Sequence, residues 1–123
     1  MSNPSKQKGT SFEVSLLPAL RKMDPRVERS ALKGGKDSGD FSLIHRERIW
    51  RVKDNFGWVE QRLVVSAKNT KALSLSGWLS DAEKMRVNAG ADAAIVVHKK
   101  RGTTAPEEQY VSMTLGTLLR LLT

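Results

Sequence analysis

Apolar positions along the chain fall into helical and extended rhythms that change at clear breaks. Phe12, Leu16, Leu17 and Leu20 recur at helical spacing, and Thr10 with Glu13 fits a capping box, so a helix is predicted from Thr10. Pro18 should kink that helix or shift its start, and Asp24-Pro25 ends the segment. Val27 to Leu32 reads as a short strand, followed by a loop that Gly34, Gly35 and Gly39 make permissive to close backbone approach. Phe41–Ile44 and Ile49–Val52 read as two strands around a turn at His45–Glu47, and Asp54-Asn55-Phe56-Gly57 signals a second turn. Trp58–Ala67 reads as a strand whose Leu63-Val64-Val65 run lacks alternation, as in a strand covered on both faces.

Ser74 and Ser76 are candidate caps for a helix carrying Trp78, Leu79, Ala82 and Met85 through Asn88, with Gly90 as its C-terminal cap. Ala93–His98 is a second continuous apolar strand, and a polar loop runs from Lys99 to Glu108. Gln109–Met113 alternates as a short strand, and Thr114 caps a last helix bearing Leu115, Leu118, Leu119, Leu121 and Leu122. This order predicts an α/β sandwich with a central mixed sheet of about five strands flanked by helices. Residues 1–9 are expected to be a flexible basic arm, and residues 10–123 a single domain.

Charge changes the picture from fold to partner. The 123 residues carry a formal net charge of +8. That balance favours an anionic partner, with nucleic acid first and a basic ribosome-like or membrane-surface protein as alternatives. The absence of cysteine excludes disulfides and thiolate metal sites. No apolar run approaches the ~20 residues a membrane helix needs, and the polar start Ser2–Thr10 has no apolar signal core, so a cytoplasmic location is expected.

Two stretches carry candidate chemistry: Lys33-Gly34-Gly35-Lys36-Asp37-Ser38-Gly39-Asp40-Phe41 and Val64-Val65-Ser66-Ala67-Lys68-Asn69. Asp40 follows a flexible turn and opens a strand, and Lys68 closes another. If the strands are neighbours, a carboxylate and a lysine meet at strand ends, an arrangement suited to a divalent cation beside a phosphodiester. Mg²⁺, with Mn²⁺ as substitute, fits hard oxygens from one or two carboxylates, and the Ala67 carbonyl offers another oxygen. Lys68 would orient or help deprotonate the attacking water and offset phosphate charge.

These residues resemble the PD-(D/E)xK nuclease superfamily, and more closely the small Holliday junction resolvase-like proteins of phages and archaea. Lys6-Gln7-Lys8-Gly9-Thr10 with Glu13 looks like the first-helix motif of that group. Ser76-Gly77-Trp78-Leu79 with Asp81-Ala82-Glu83 looks like the helix after its active strand. Val96-Val97-His98-Lys99-Lys100-Arg101-Gly102 looks like the phage branch, and the match spans roughly residues 6–122. The resemblance implies Asp40 as metal ligand, Lys68 as catalytic lysine and Glu13 as auxiliary acid. The chain departs from it at Ser66, where the family usually places an acidic metal ligand; serine offers a neutral, weaker oxygen.

Glu60 cannot replace that acid from the same strand, because eight residues at ~3.3 Å each put it roughly 26 Å from Lys68. Asp37, three residues from Asp40, and Glu13 remain candidates, giving a site of Asp40, Glu13 and the Ala67 carbonyl, helped by Ser66 or Asp37. Glu13 also has a plain reading as half of a capping box, and Asp37 as a turn former. His98 reads as a strand-end or phosphate contact rather than a metal ligand. Trp50, Trp58 and Trp78 read as core or dimer-interface residues, with base stacking the alternative. Lys6, Lys8, Arg29, Lys33, Lys36, Asn69, Lys71, Lys99, Lys100 and Arg101 are the expected nucleic-acid contacts.

The function implied is a metal-dependent, structure-specific DNA endonuclease, with a four-way junction as substrate and a homodimer as the economical source of two symmetric cuts. A phage-encoded protein of this kind would act in the cytoplasm of a bacterial or archaeal host. A non-catalytic DNA-binding protein on the same fold, with Ser66 as the lesion, is the alternative.

Overall fold

In a computed structural model, residues 4–30 and 39–122 are described. The chain forms α1 (Pro4–Leu20), β1 (Ile44–Val52), β2 (Asn55–Lys68), α2 (Leu75–Ala89), β3 (Ala93–His98), a 3₁₀ turn (Pro106–Glu108), β4 (Tyr110–Ser112) and α3 (Leu115–Leu122). Among the described residues the sheet runs β1-β2-β3-β4. The β1/β2 and β3/β4 pairs are antiparallel and β2/β3 is parallel, so the sheet is mixed. A single antiparallel bridge, Arg29 to Phe41, lies outside the four named strands, before β1. The α/β sandwich expected from the pattern is therefore present.

Both central strands are covered on two faces, which is why their sequences lack alternation. On one face α1 sets Phe12, Leu16 and Leu20 against Ile44, Leu63, Val65, Ile95 and Val97. On the other, α2 sets Trp78, Ala82 and Met85 against Val64, Ala94 and Val96. Gly90 ends α2 at φ 65, with its N–H on the carbonyl of Val87. Thr114 caps α3 by accepting the Thr117 N–H at 3.1 Å.

Several local expectations are corrected. The first helix begins at Pro4, so residues 4–9 are helical rather than an arm, and Thr10 and Glu13 lie in the helix body rather than in a capping box. Proline at a helix start lacks only an N–H that would be unpaired there anyway. Pro18 sits in the last turn, and the helix continues to Leu20. His45–Glu47 is not a turn: it pairs with Arg62, Gln61 and Glu60, making one continuous strand. The hairpin reverses instead at Lys53-Asp54, with Lys53 at φ 55. The expected strand at 27–32 is reduced to the one bridge at Arg29, and residues 31 and 32 lie outside the described residues.

Ser74 precedes α2 without a side-chain capping bond. No described helix is long and apolar enough to cross a membrane.

Candidate metal and nucleic-acid site

Asp40 is positioned by the residue before it. Gly39 has φ +113, and an added Cβ would lie 3.0 Å from Val64 Cγ1 and 3.3 Å from the Val65 carbonyl. Only glycine lets the chain lie this close to β2. The Asp40 N–H then donates to the Val65 carbonyl at 3.3 Å, and the Asp40 carboxylate accepts the Ala67 N–H at 2.7 Å. The expected neighbourhood of Asp40 and the last residues of the β2 strand is thus present. Within a strand, the N–H and C=O of one residue point to the same edge. The Ala67 carbonyl therefore belongs to the edge on which Asp40 sits.

Glu13 arrives from α1. It is four-fifths buried and is gripped by Arg29, whose Nε and second terminal nitrogen donate to one carboxylate oxygen at 2.9 and 2.8 Å. Burial pushes the Glu13 carboxyl above its ordinary value, the Arg29 hydrogen bond opposes this, and the Asp40 carboxyl, in charge and hydrogen-bond contact with it, raises it further. Two carboxyl groups in contact favour a shared proton or a cation between them. The donor set of Glu13, Asp40 and a backbone carbonyl is hard oxygen throughout, which suits Mg²⁺. Among the described residues no group of three or more His, Asp or Glu side chains could hold a metal. Asp37, the other candidate acid, lies outside the described residues.

Ser66 and Lys68 stand differently. Strand alternation places Ala67 with Val65 on the α1 face, and Ser66 and Lys68 with Val64 on the α2 face. Ser66 is 0 % exposed, and its hydroxyl has no hydrogen-bond partner among the described residues. Lys68 is partly exposed at the strand end, in register with His98. The structure therefore joins Asp40 directly to the Ala67 backbone, with Glu13 held by Arg29 on the same side, whereas Ser66 and Lys68 belong to the same strand end through the opposite face.

The C-terminal ends of the parallel strands β2 and β3 gather the basic residues. The Lys99 N–H donates to the Lys68 carbonyl at 3.0 Å, and Arg101 donates to the Thr70 carbonyl at 2.9 Å, tying the two loops together. Lys71 is exposed, and Asn69 keeps its buried side-chain Oδ1 without a partner among the described residues. Lys100 Nζ lies 6.0 Å from the centre of the Tyr110 ring, and Lys99 Nζ is folded back onto the Thr103 carbonyl.

His98 packs between Trp78 and Tyr110 with tilted ring contacts, ring centres 5.4 and 5.7 Å away, and bonds Ser112 Oγ at 2.7 Å. Burial lowers its basicity, and its ring is packed at the strand end. Lys33 and Lys36 lie outside the described residues, as do the side chains of Lys6 and Lys8. Sequence reasoning assigned Arg29 to phosphate; its role as the clamp on Glu13 was missed, since only the bridge to Phe41 brings residue 29 to α1. Trp78 is core as expected, whereas Trp58 is 65 % exposed.

No protein-family model, curated protein or solved structure matches the chain.

Proposed function

We propose that the protein is a metal-dependent, structure-specific DNA endonuclease, with a four-way junction as its preferred substrate. The observation that carries this reading is the Asp40 carboxylate seated on the Ala67 N–H, with the buried, Arg29-held Glu13 carboxyl near enough for the Asp40 charge to raise it, at the same strand ends as the basic loops. Glu13, Asp40 and the Ala67 carbonyl would hold Mg²⁺ or Mn²⁺. The cation would supply a polarised water and offset charge at the phosphodiester. Arg29 keeps Glu13 facing Asp40, and Gly39 fixes Asp40 against β2. Lys68, Asn69, Lys71, Lys100 and Arg101 would contact phosphates, which position DNA without reading its sequence. A homodimer would present two such sites to a symmetric junction.

A second reading, a DNA-binding protein without turnover, is favoured by one observation: the position expected to carry a third acid is Ser66, sealed from solvent on the α2 face. Junction binding measured across a salt series, with cleavage scored in Mg²⁺, Mn²⁺ and EDTA, separates the two. Affinity should fall steeply with salt in both readings. Metal-dependent cuts support the nuclease, tight binding without cuts supports the binder, and a flat salt response opposes both.

A further inference from the structure

The distal half of the β1/β2 hairpin is largely exposed, with Ile49, Val52, Phe56 and Trp58 open to solvent, and β1 is the outer strand of the sheet. The His45 N–H, the first outward group, is taken by the Asp24 carboxylate at 3.0 Å. Alternation then turns the backbone groups of Glu47, Ile49 and Arg51 outward, while the even-numbered residues bond β2. Among the described residues nothing pairs with this edge beyond β2. It contains no proline and no bulge within its nine residues, two of the devices that blunt an exposed edge, and of its charges the outward-registered Glu47 and Arg51 are of opposite sign.

The same three residues share one face with Phe56 and Trp58 of β2. Ile49, Phe56 and Trp58 are exposed by 45 %, 66 % and 65 %. Across the ladder Ile49 faces Trp58, Arg51 faces Phe56, and Glu47 faces another acid, Glu60. Glu60 is engaged with His45, and Glu47 and Arg51 have no ion-pair partner among the described residues. Like charges directly opposite one another are unfavourable, so Glu47 lacks the cation its position calls for.

We propose that β1 pairs with β1 of a second copy of this chain, antiparallel, about a two-fold axis at Ile49. This register is selected by charge. It puts Ile49 opposite Ile49, and Glu47 of each chain opposite Arg51 of the other, giving two symmetric ion pairs. A two-fold one step earlier, at Arg48, sets arginine against arginine. One at Glu47 sets acid against acid and Arg46 against Arg48. The opposite edge of the hairpin has no such solution, because a two-fold at Trp58 sets Phe56 against Glu60. Pairing on odd residues also matches the outward backbone groups, so all six ladder hydrogen bonds from residues 47, 49 and 51 can form. Trp58 and Ile49 of both chains then make one apolar strip across a continuous eight-stranded sheet. The interface is independent of the metal site and stands whether or not the protein cuts DNA.

Sedimentation of the full chain should show a dimer. Glu47→Arg alone and Arg51→Glu alone should each sediment as monomers, because each sets like charges across the axis. An equimolar mixture of the two variants should return to dimer, since both cross-chain pairs become Arg–Glu. The chain has no cysteine, so Ile49→Cys provides a clean second arm. A hydrogen-bonded antiparallel pair has Cα atoms about 5.5 Å apart, within disulfide reach. Mild oxidation of Ile49→Cys should give a covalent dimer, whereas Val52→Cys, separated from its copy by roughly 20 Å in this register, should not. Monomeric wild-type protein, a mixture that stays monomeric, or equal cross-linking at positions 49 and 52 would overturn the proposal. So would single variants that remain dimeric but lose junction binding, which would assign this face to DNA.

Discussion

Replacing Gly39 with alanine tests how the fold sets Asp40 against β2. At φ +113 an alanine pays backbone strain of about 1–3 kcal/mol. Its Cβ would meet Val64 Cγ1 at 3.0 Å and a β2 carbonyl at 3.3 Å. Val64 is fully buried against α2 and has little room to give, so crowding adds about 1–3 kcal/mol. Reduced freedom of the unfolded chain returns about 0.4–1 kcal/mol. The net loss is about 1–6 kcal/mol, a sizeable part of the ~5–15 kcal/mol that holds a domain together. Thermal unfolding should therefore shift down by roughly 4–20 °C for a chain of this length. The Asp40–Ala67 contact should also loosen, so Mg²⁺ should raise the melting point of Gly39→Ala less than that of the parent. Differential scanning calorimetry with and without Mg²⁺ measures both. A melting point within about 2 °C of the parent, with the metal response intact, would refute the argument that Gly39 is needed for the close approach.

Three further outcomes follow from the same geometry. Glu13 is raised in the folded state, so the native protein holds that proton to higher pH than the unfolded chain, and stability should fall as pH rises above the ordinary glutamate range. Glu13→Gln should flatten that slope in urea unfolding and weaken Mg²⁺ binding, and an unchanged slope would contradict the assignment. Asp24 is the reverse case: hydrogen bonds from Arg26 and the His45 N–H hold its carboxyl well below the usual range. Its contribution should be fully present above the ordinary aspartate value and vanish as pH falls through the depressed one, and Asp24→Ala should cost about 1.5–3 kcal/mol at neutral pH by denaturant midpoint. Ser66→Ala should be near neutral because the hydroxyl has no partner among the described residues. Ser66→Glu should lose about 2–5 kcal/mol by burying a carboxylate in a full site. Tolerance of glutamate with tighter Mg²⁺ binding would instead turn that side chain toward the metal.

The fold was legible where burial overrides everything else. The unbroken apolar runs Leu63–Val65 and Ala93–His98 marked the two central strands, and Gly90 and Thr114 marked helix ends through local backbone chemistry. The hairpin was misread because His45–Glu47 is polar and no local signal reports that β2 will pair with it residue by residue. The start of α1 was misread because Thr10 and Glu13 fit a cap by spacing alone, while the helix draws its stability from Phe12, Leu16 and Leu20 packing on the sheet.

In the site, Gly39-Asp40 and the end of β2 were legible as a pair because a glycine before a carboxylate and an apolar strand before a lysine each have a backbone consequence. The Arg29 clamp was not, since it depends on a bridge between segments that reads weakly in sequence. Nor could spacing reveal that Ser66 and Lys68 leave β2 on the face away from α1, because that depends on which helix covers which side.

The most direct measurement is cleavage of a labelled four-way junction and a matched linear duplex in Mg²⁺, Mn²⁺ and EDTA, by the wild-type chain beside Asp40→Asn and Glu13→Gln. Metal-dependent cuts confined to the junction, abolished by Asp40→Asn and strongly reduced by Glu13→Gln, are what the Glu13–Asp40 site predicts. Cleavage that survives both substitutions, or no cleavage in either metal while the junction stays tightly bound, would contradict it.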